Sequence, residues 1–409
     1  RTAVDREEQP SAPCRMTRVK ALVVSHLYPS PGVERHLFVH QQVLALRELG
    51  VDSRVISPTP WVPRLLRRGE RNLRRGAKPK AAILDGIPVD YPRVLQPPRR
   101  IVFDRLGDLA HPTVRRLPSL RETRYDLVHA HQALPDGALA QRLAADLGVP
   151  FVITVHGADV YQHLRAGGKV ERRARRVLGA ADAVMANSSV VGRLLHDVVA
   201  PERLAVVLNG TTGLERPAAP ASDYRPGEPV VLTVGQLIPR KGTADLVTAV
   251  GRLHRDGRRV RLAIVGDGPL RRALQEQAAA AGVSDQVDFV GRLEHARVLA
   301  MMARAQLFAL PSWDEAFGLV YTEAMAQGTP ILALRGGGPD DFVEHGVSGG
   351  WLVPEHDPDA IADVIRGVLD DPAQASAIGD RGRATALGLS WTRNAESTLA
   401  VYTRVLGPR

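Results

Sequence analysis

Two glutamates, Glu315 and Glu323, flank the turn Phe317-Gly318-Leu319 inside the run PSWDEAFGLVYTEAMAQGTP at residues 311–330. The apolar residues 305–310 before it read as a buried strand closed by Pro311. Good helix formers fill 319–327, and Gly328-Thr329-Pro330 stops that helix ahead of a second apolar run at 331–334. Glu315 then lies in a loop and Glu323 about one turn inside a helix. The backbone N–H groups of 317–320 have no partner within the helix, and its dipole favours an anion in front of them. One carboxylate before an anion hole and another behind it suit a sugar diphosphate, whose hydroxyls need acceptors and whose phosphates need donors.

A bare pair of glutamates at this spacing would also fit an ordinary buried strand–loop–helix unit. The full twenty-residue pattern is more specific. It resembles the donor-site signature of retaining family 4 glycosyltransferases of the GT-B fold. The resemblance implies that Glu315 bonds the transferred sugar, that the backbone at Phe317, Gly318 and Leu319 holds phosphate and sugar oxygens, and that Glu323 takes the ribose hydroxyls. It extends to TVGQLIPRKG at 233–242, where family members carry an Arg directly after the first Gly and a Lys before the second, both on the diphosphate. Lys241 matches. The Arg position holds Gln236, a neutral amide, and Arg240 is the nearest replacement cation. A lost charge-assisted hydrogen bond costs roughly 1.5–3 kcal/mol, so donor affinity should fall unless Arg240 substitutes.

Other segments are aligned by the same resemblance. His156, in the run Thr154-Val155-His156-Gly157-Ala158-Asp159 that resembles the family's HG-x-D segment, follows an apolar run and is expected at a strand's carboxyl end near the transferred sugar. Asp159 reads as an anchor of that loop. His129 and His131 shape the cleft rather than bind metal, since no further ligands at metal-like spacing accompany them. Gly32 stands where a glycine-rich turn approaches the phosphates, and His36 occupies a place where family members have Gly. Gly337, Gly338 and Asp341 resemble a segment lining the donor sugar, with an ordinary glycine loop as the competing reading. Gly266-Asp267-Gly268 lacks the third glycine of a dinucleotide fingerprint. Asp357-Pro358-Asp359 is read as a helix N-cap with Pro in the first turn, not as a metal-binding pair.

These groups need a scaffold. Apolar runs at 19–24, 51–56, 126–130, 151–155 and 183–186 alternate with helical patterns such as 37–49 and 137–147. A second alternation begins at 230–234 and continues through 262–265, 287–290, 307–310 and 331–334. Strands alternating with helices predict an α/β fold of two Rossmann-like, doubly wound parallel sheets facing across a cleft, the GT-B arrangement. The expected divisions are a disordered tail at 1–17, an acceptor domain at 18–210, a Pro/Gly-rich linker at 211–229, a nucleotide-sugar domain at 230–390, and a helix at 391–409 crossing back to the first domain.

Composition narrows the class. The 409 residues, 44% hydrophobic and 24% charged, describe a globular chain with ample core. Cys14 is the only cysteine, so no intrachain disulfide or cysteine metal site can form. Met16 reads as the natural start, with no secretory core before it. The net charge of +10 is uneven: residues 1–209 hold 33 Lys+Arg against 20 Asp+Glu, the remainder 21 against 24. Two segments concentrate the excess, Arg64 to Lys80 with eight cations and Arg165 to Arg176 with six.

The reading is a retaining glycosyltransferase of hexosyltransferase type, taking a UDP-, GDP- or ADP-sugar as co-substrate and no cofactor. Fixed charges at Lys241, Arg240 and the Gly318 helix start would replace a metal. The acceptor is expected to be lipid-linked or otherwise anionic, and the protein cytoplasmic with peripheral attachment to the inner membrane face. Nucleic acid is not expected, because no aromatics interleave the basic runs. The rival readings are a nucleotide-sugar epimerase on the same fold and a non-catalytic nucleotide-sugar-binding relative.

Overall fold

The computed structural model describes residues 19–32, 37–61, 78–94, 102–215 and 229–408. The first sheet has eight strands, in spatial order Leu204–Val206, Ala183–Ala186, Phe151–Val155, Leu127–His131, Lys20–Val24, Asp52–Ile56, Ile87–Asp90 and Ala81–Leu84. All pair in parallel except the last, which turns back on its neighbour as a hairpin. The second sheet has seven parallel strands, ordered Val287–Gly291, Arg261–Val265, Val230–Val234, Leu307–Ala309, Ile331–Leu334, Gly349–Val353 and Glu344–His345. In both, the central strands are buried on both faces, which is why their sequences are continuous apolar runs rather than alternating ones.

The Ala81–Leu84 hairpin was not anticipated. Its signal is Asp85-Gly86, both at positive φ, the pair that a two-residue turn between strands requires. Of the residues expected to form a linker, Thr211 to Glu215 and Pro229 are described, and the stretch from Thr211 docks on the second domain. The Thr211 N–H donates to the Leu389 carbonyl at 2.7 Å, and the Gln327 amide donates to the Gly213 carbonyl at 2.6 Å. Leu214 joins the second domain's core. The expected tail and most of the Arg64 to Lys80 segment lie outside the described residues.

The helix Trp391–Leu406 starts where the Ser390 hydroxyl accepts the Arg393 N–H, and it packs against the helix Leu37–Glu48 of the first domain. The contact is polar as well as apolar. Gln42 donates to Asn394 Oδ1 at 2.7 Å and to Thr398 Oγ1 at 3.1 Å, while Asn394 donates to the Leu208 carbonyl at 2.7 Å. These buried amides are paired, as burial demands. Loops of the two domains also meet directly. Ala316, from the second domain, is packed into the first domain's core, and its methyl sits where a side chain on Gly157 would project. The carboxyl ends of the Phe151–Val155 and Leu307–Ala309 strands are thereby set face to face. No helix of the described residues is long and apolar enough to cross a membrane.

Candidate active site

Gly318 takes a left-handed conformation at φ +81° and caps the helix Leu319–Ala326. A side chain there would strike the Tyr321 ring, whose hydroxyl is fixed to the Leu310 carbonyl at 2.6 Å. The turn thus needs glycine twice over, for its backbone and for its space. In front of it, Glu315 Oε2 accepts from Lys241 Nζ at 2.6 Å and from Ser312 Oγ at 3.2 Å. Both charged side chains are mostly buried, at 15% and 16% exposure, so the pair is held in place rather than waving in solvent. Gly338 donates its N–H to the Glu315 carbonyl at 2.9 Å, and a Cβ on Gly338 would collide with Ala316 and Phe317. Glu315, Phe317, Gly318, Leu319, Gly337, Gly338 and Lys241 are therefore brought into one cluster.

Lys241 closes the short turn Pro239–Lys241, and Gly242 follows at φ +64° against Pro311. That close approach seats the cation beside the glutamate loop. The Arg240 carbonyl accepts from the Trp313 N–H at 3.0 Å, placing Arg240 on the same loop interface. Gln236 is exposed at the end of the Val230–Val234 strand. Deeper along the helix, Glu323 Oε1 accepts from Thr212 Oγ1 at 2.6 Å and pairs with His295 Nε2 at 3.1 Å. Ser312, Thr212 and His295 were not singled out from the sequence. A single hydroxyl or imidazole in an unremarkable loop carries no local signal.

Across the cleft, His156 Nε2 and His131 Nδ1 share a hydrogen bond of 2.9 Å, with the rings stacked 5.2 Å apart. Phe38 covers His156 from the other side, with 4.7 Å between ring centres. Asp159 is the anchor expected of it. Fully buried, it accepts the N–H of Ala133 at 2.5 Å and of His156 at 3.1 Å. Burial raises its pKa against the opposing pull of His163 and those N–H groups. Behind His131, His129 is clamped between Tyr402 OH at 2.7 Å and Thr154 Oγ1 at 2.8 Å. Burial, with the nearby His156 charge, pushes His129 down to about 3; burial first, then its histidine neighbours, hold His131 well below its usual range. Both rings stay neutral at ordinary pH.

Asp341 is placed differently from its sequence reading. Its carboxylate accepts the Ser189 N–H at 2.7 Å, a bond that crosses from one domain to the other. A second crossing joins Arg165 to Asp314 at 2.8 Å, with the guanidinium lying over the Tyr161 ring. Asp314 itself sits at φ +55° in the glutamate loop. Gly32 has φ +73° with open space about it, and His36 lies outside the described residues. Asp357 accepts the Ala360 N–H at 2.9 Å, an N-cap as expected.

Two facing doubly wound sheets with a charged glutamate–lysine cluster in the cleft define the GT-B class of sugar-transferring enzymes. Family models agree over both halves: Glycosyltransferase Family 4 matches residues 32–212, and Glycosyl transferases group 1 matches 218–385. Glycogen synthase of Mycobacterium tuberculosis is 34% identical over 301 residues, covering 71% of each chain. D-inositol 3-phosphate glycosyltransferase of Nocardia farcinica is 34% identical over 315 residues, 71% of this chain and 68% of that one. The fold is shared with sucrose-phosphate synthase of Thermosynechococcus elongatus, at TM-score 0.78 and 23% identity over 95% and 99% of the two chains. Anabaena HepE, solved with UDP and glucose, superposes with TM-score 0.69 at 20% identity over 94% and 100%. The chain belongs to glycosyltransferase family 4, and it is a retaining glycosyltransferase that uses nucleotide-sugar donors.

Proposed function

We propose that this enzyme transfers a hexosyl group from a UDP-sugar, UDP-glucose foremost, to a hydroxyl of an anionic acceptor, without a metal. The observation that carries the donor half is the Lys241–Glu315 pair, 2.6 Å across, at the mouth of the Leu319–Ala326 helix. Lys241, Arg240 and the helix N-terminus together offer fixed positive potential to a departing diphosphate. Glu315 and His156 face the cleft from opposite domains, where they would hold the sugar's hydroxyls. Glu323, one helical turn further in, would take the ribose hydroxyls. As diphosphate leaves, the bond from its oxygen to the anomeric carbon breaks, the acceptor oxygen bonds that carbon on the same face, and the acceptor's hydroxyl proton passes to the departing phosphate oxygen. UDP is favoured because HepE was solved with UDP and glucose; the names of the relatives offer D-inositol 3-phosphate and glycogen as acceptor types.

The acceptor half rests on charge. Within Arg165 to Arg176, Arg165, Arg173 and Arg175 are bound to Asp314, Asp108, and Glu171 with Asp197. Lys169, Arg172 and Arg176 are exposed on the helix Gly168–Ala180 and remain to meet an anion. The same cations, about 1 kcal/mol each near an anionic bilayer, would favour peripheral attachment of the enzyme. Thermal-shift titration with UDP, GDP and ADP and their glucose conjugates tests the donor assignment. UDP and UDP-glucose should raise Tm most. No response to any of the six would overturn the reading.

A further inference from the structure

We infer that Thr212, in the stretch joining the two domains, is a positioning residue for Glu323, and that it thereby sets how strictly the enzyme demands a ribonucleotide. This rests on the donor reading above. Thr212 Oγ1 donates to Glu323 Oε1 at 2.6 Å, the short distance of a hydroxyl bonded to a charged carboxylate. The second bond reaches the same oxygen. His295 Nε2 lies 3.1 Å from Oε1, and it is the donor because an ionised carboxylate only accepts. Two donors fill the lone pairs of Oε1. Among the described residues none is placed on Oε2, whose two lone pairs match the two adjacent hydroxyls of a ribose. The glutamate side chain is 13% exposed, so it offers one open edge rather than a free swing.

The segment that carries Thr212 is itself fixed on both sides. Before it, the Thr211 N–H is bonded to the Leu389 carbonyl. After it, the Gly213 carbonyl accepts from Gln327, the residue that ends the Leu319–Ala326 helix. Gln327 stands four positions beyond Glu323 and so lies on the same helix face. Gly213 backs onto Leu299 of the helix His295–Met302, and Leu214 enters the second domain's core. The linker thus meets both helices that flank the carboxylate, and Thr212 is held where its hydroxyl reaches Glu323. A glutamate already pinned at one oxygen gives up little rotamer freedom when ribose arrives, whereas an unpinned one gives up more. A site that hydrogen-bonds a ligand hydroxyl discriminates against the analogue lacking it, and that discrimination needs the acceptor aimed in advance. Thr212 does the aiming from outside the nucleotide's own contacts.

The test titrates UDP, GDP and ADP, each with its 2′-deoxy counterpart, into wild type, Thr212→Val and Thr212→Ser by calorimetry. Valine keeps the volume and removes the hydroxyl; serine restores the hydroxyl without the methyl. Wild type should bind its preferred ribonucleotide about tenfold or more tighter than the deoxy form. In Thr212→Val the Kd of that ribonucleotide should rise about tenfold and the deoxy Kd by no more than about threefold, so that the preference narrows. Thr212→Ser should recover it, which a packing role for the threonine would not do. The inference is overturned if valine weakens both forms equally or neither, or if serine fails to recover the preference. It is also overturned if valine tightens the ribonucleotide, as it would were Thr212 competing with ribose for Glu323. A wild type that binds both forms alike removes the ribose role of Glu323 and this inference with it. A wild type that binds none of the six removes the donor reading itself, and both results are seen before any variant is titrated.

Discussion

Glu315 and Lys241 hold each other 2.6 Å apart, and this fixes what a substitution can reveal. An alanine at 315 would strip the donor site and also leave Lys241 without its buried partner, at a cost of about 3–5 kcal/mol if the pair were fully buried. Glu315→Gln keeps the shape and a hydrogen bond, so it separates chemistry from folding. Transfer should fall about 10- to 150-fold, with a smaller loss of Tm than alanine brings, because a carboxylate on sugar hydroxyls is worth about 1.5–3 kcal/mol more than nothing. Near-normal turnover by this variant would sink the donor-site assignment. Gln236→Arg runs the other way. Gln236 is exposed where the family carries an arginine, so the new guanidinium should tighten UDP about tenfold, measured by isothermal titration. Weaker binding would mean that Arg240 already fills that place. At this scale, Glu315, Lys241 and His156 were legible because each sits in a motif with its neighbours. Ser312, Thr212 and His295 were not, because a partner supplied from a distant loop leaves no trace beside it.

The elements that position these residues depend on glycine at few places, and Gly318 is the most demanding. A Cβ in the left-handed region costs about 1–2 kcal/mol, and here it would also push on the Tyr321 ring. Tyr321 cannot step aside without losing its bond to the Leu310 carbonyl. Gly318→Ala should therefore lower Tm by several degrees and weaken nucleotide binding together, because the same turn carries the helix start and the Glu315 loop. An unchanged melting curve with lost binding would show that the turn is softer than its geometry implies. Most interior strands were legible from apolar runs alone; Phe151–Val155, Ala183–Ala186, Val230–Val234 and Ile331–Leu334 fall on the expected residues, while Ile87–Asp90 and Gly349–Val353, interrupted by Pro88 and by Gly349 and Gly350, were not anticipated. Among the edge strands Val287–Gly291 was legible too, whereas Ala81–Leu84, half exposed, and Glu344–His345, exposed, lack the continuous apolar signature that burial on both faces imposes. Asp341 shows the matching limit for a loop: the GG-x-x-D pattern placed it beside Gly338, but its carboxylate is taken by Ser189 of the other domain.

The whole molecule is joined through its histidines, and this makes its stability depend on pH. His129 is clamped between Tyr402, on the helix Trp391–Leu406, and Thr154, on a strand of the first sheet. Burial, aided by the neighbouring His156, lowers its pKa to about 3, and burial with its two histidine neighbours lowers His131 as well. The folded protein therefore keeps both rings neutral at pH values where the unfolded chain, near 6.5, has begun to take protons. Above about pH 7 these groups contribute no slope. As pH falls through 6.5 toward 3 the unfolded state binds more protons, and stability declines by up to about 1.4 kcal/mol per pH unit for each ring. Asp159 works in the opposite sense: its raised pKa makes the folded state take a proton first, so its contribution grows as pH falls. A comparison of variants removes that term, because Asp159 is common to both. His129→Asn retains an amide for Tyr402 or Thr154 but has nothing to titrate. Urea midpoints from about pH 7.5 to about 5 should show a less stable variant at the upper end, where the packing and one hydrogen bond are missing. The gap should narrow steadily toward the lower end, as only the wild type pays for keeping His129 neutral. Parallel curves would mean that His129 gains protons equally in both states, and that its clamp between the C-terminal helix and the first sheet does not govern the acid limb of stability.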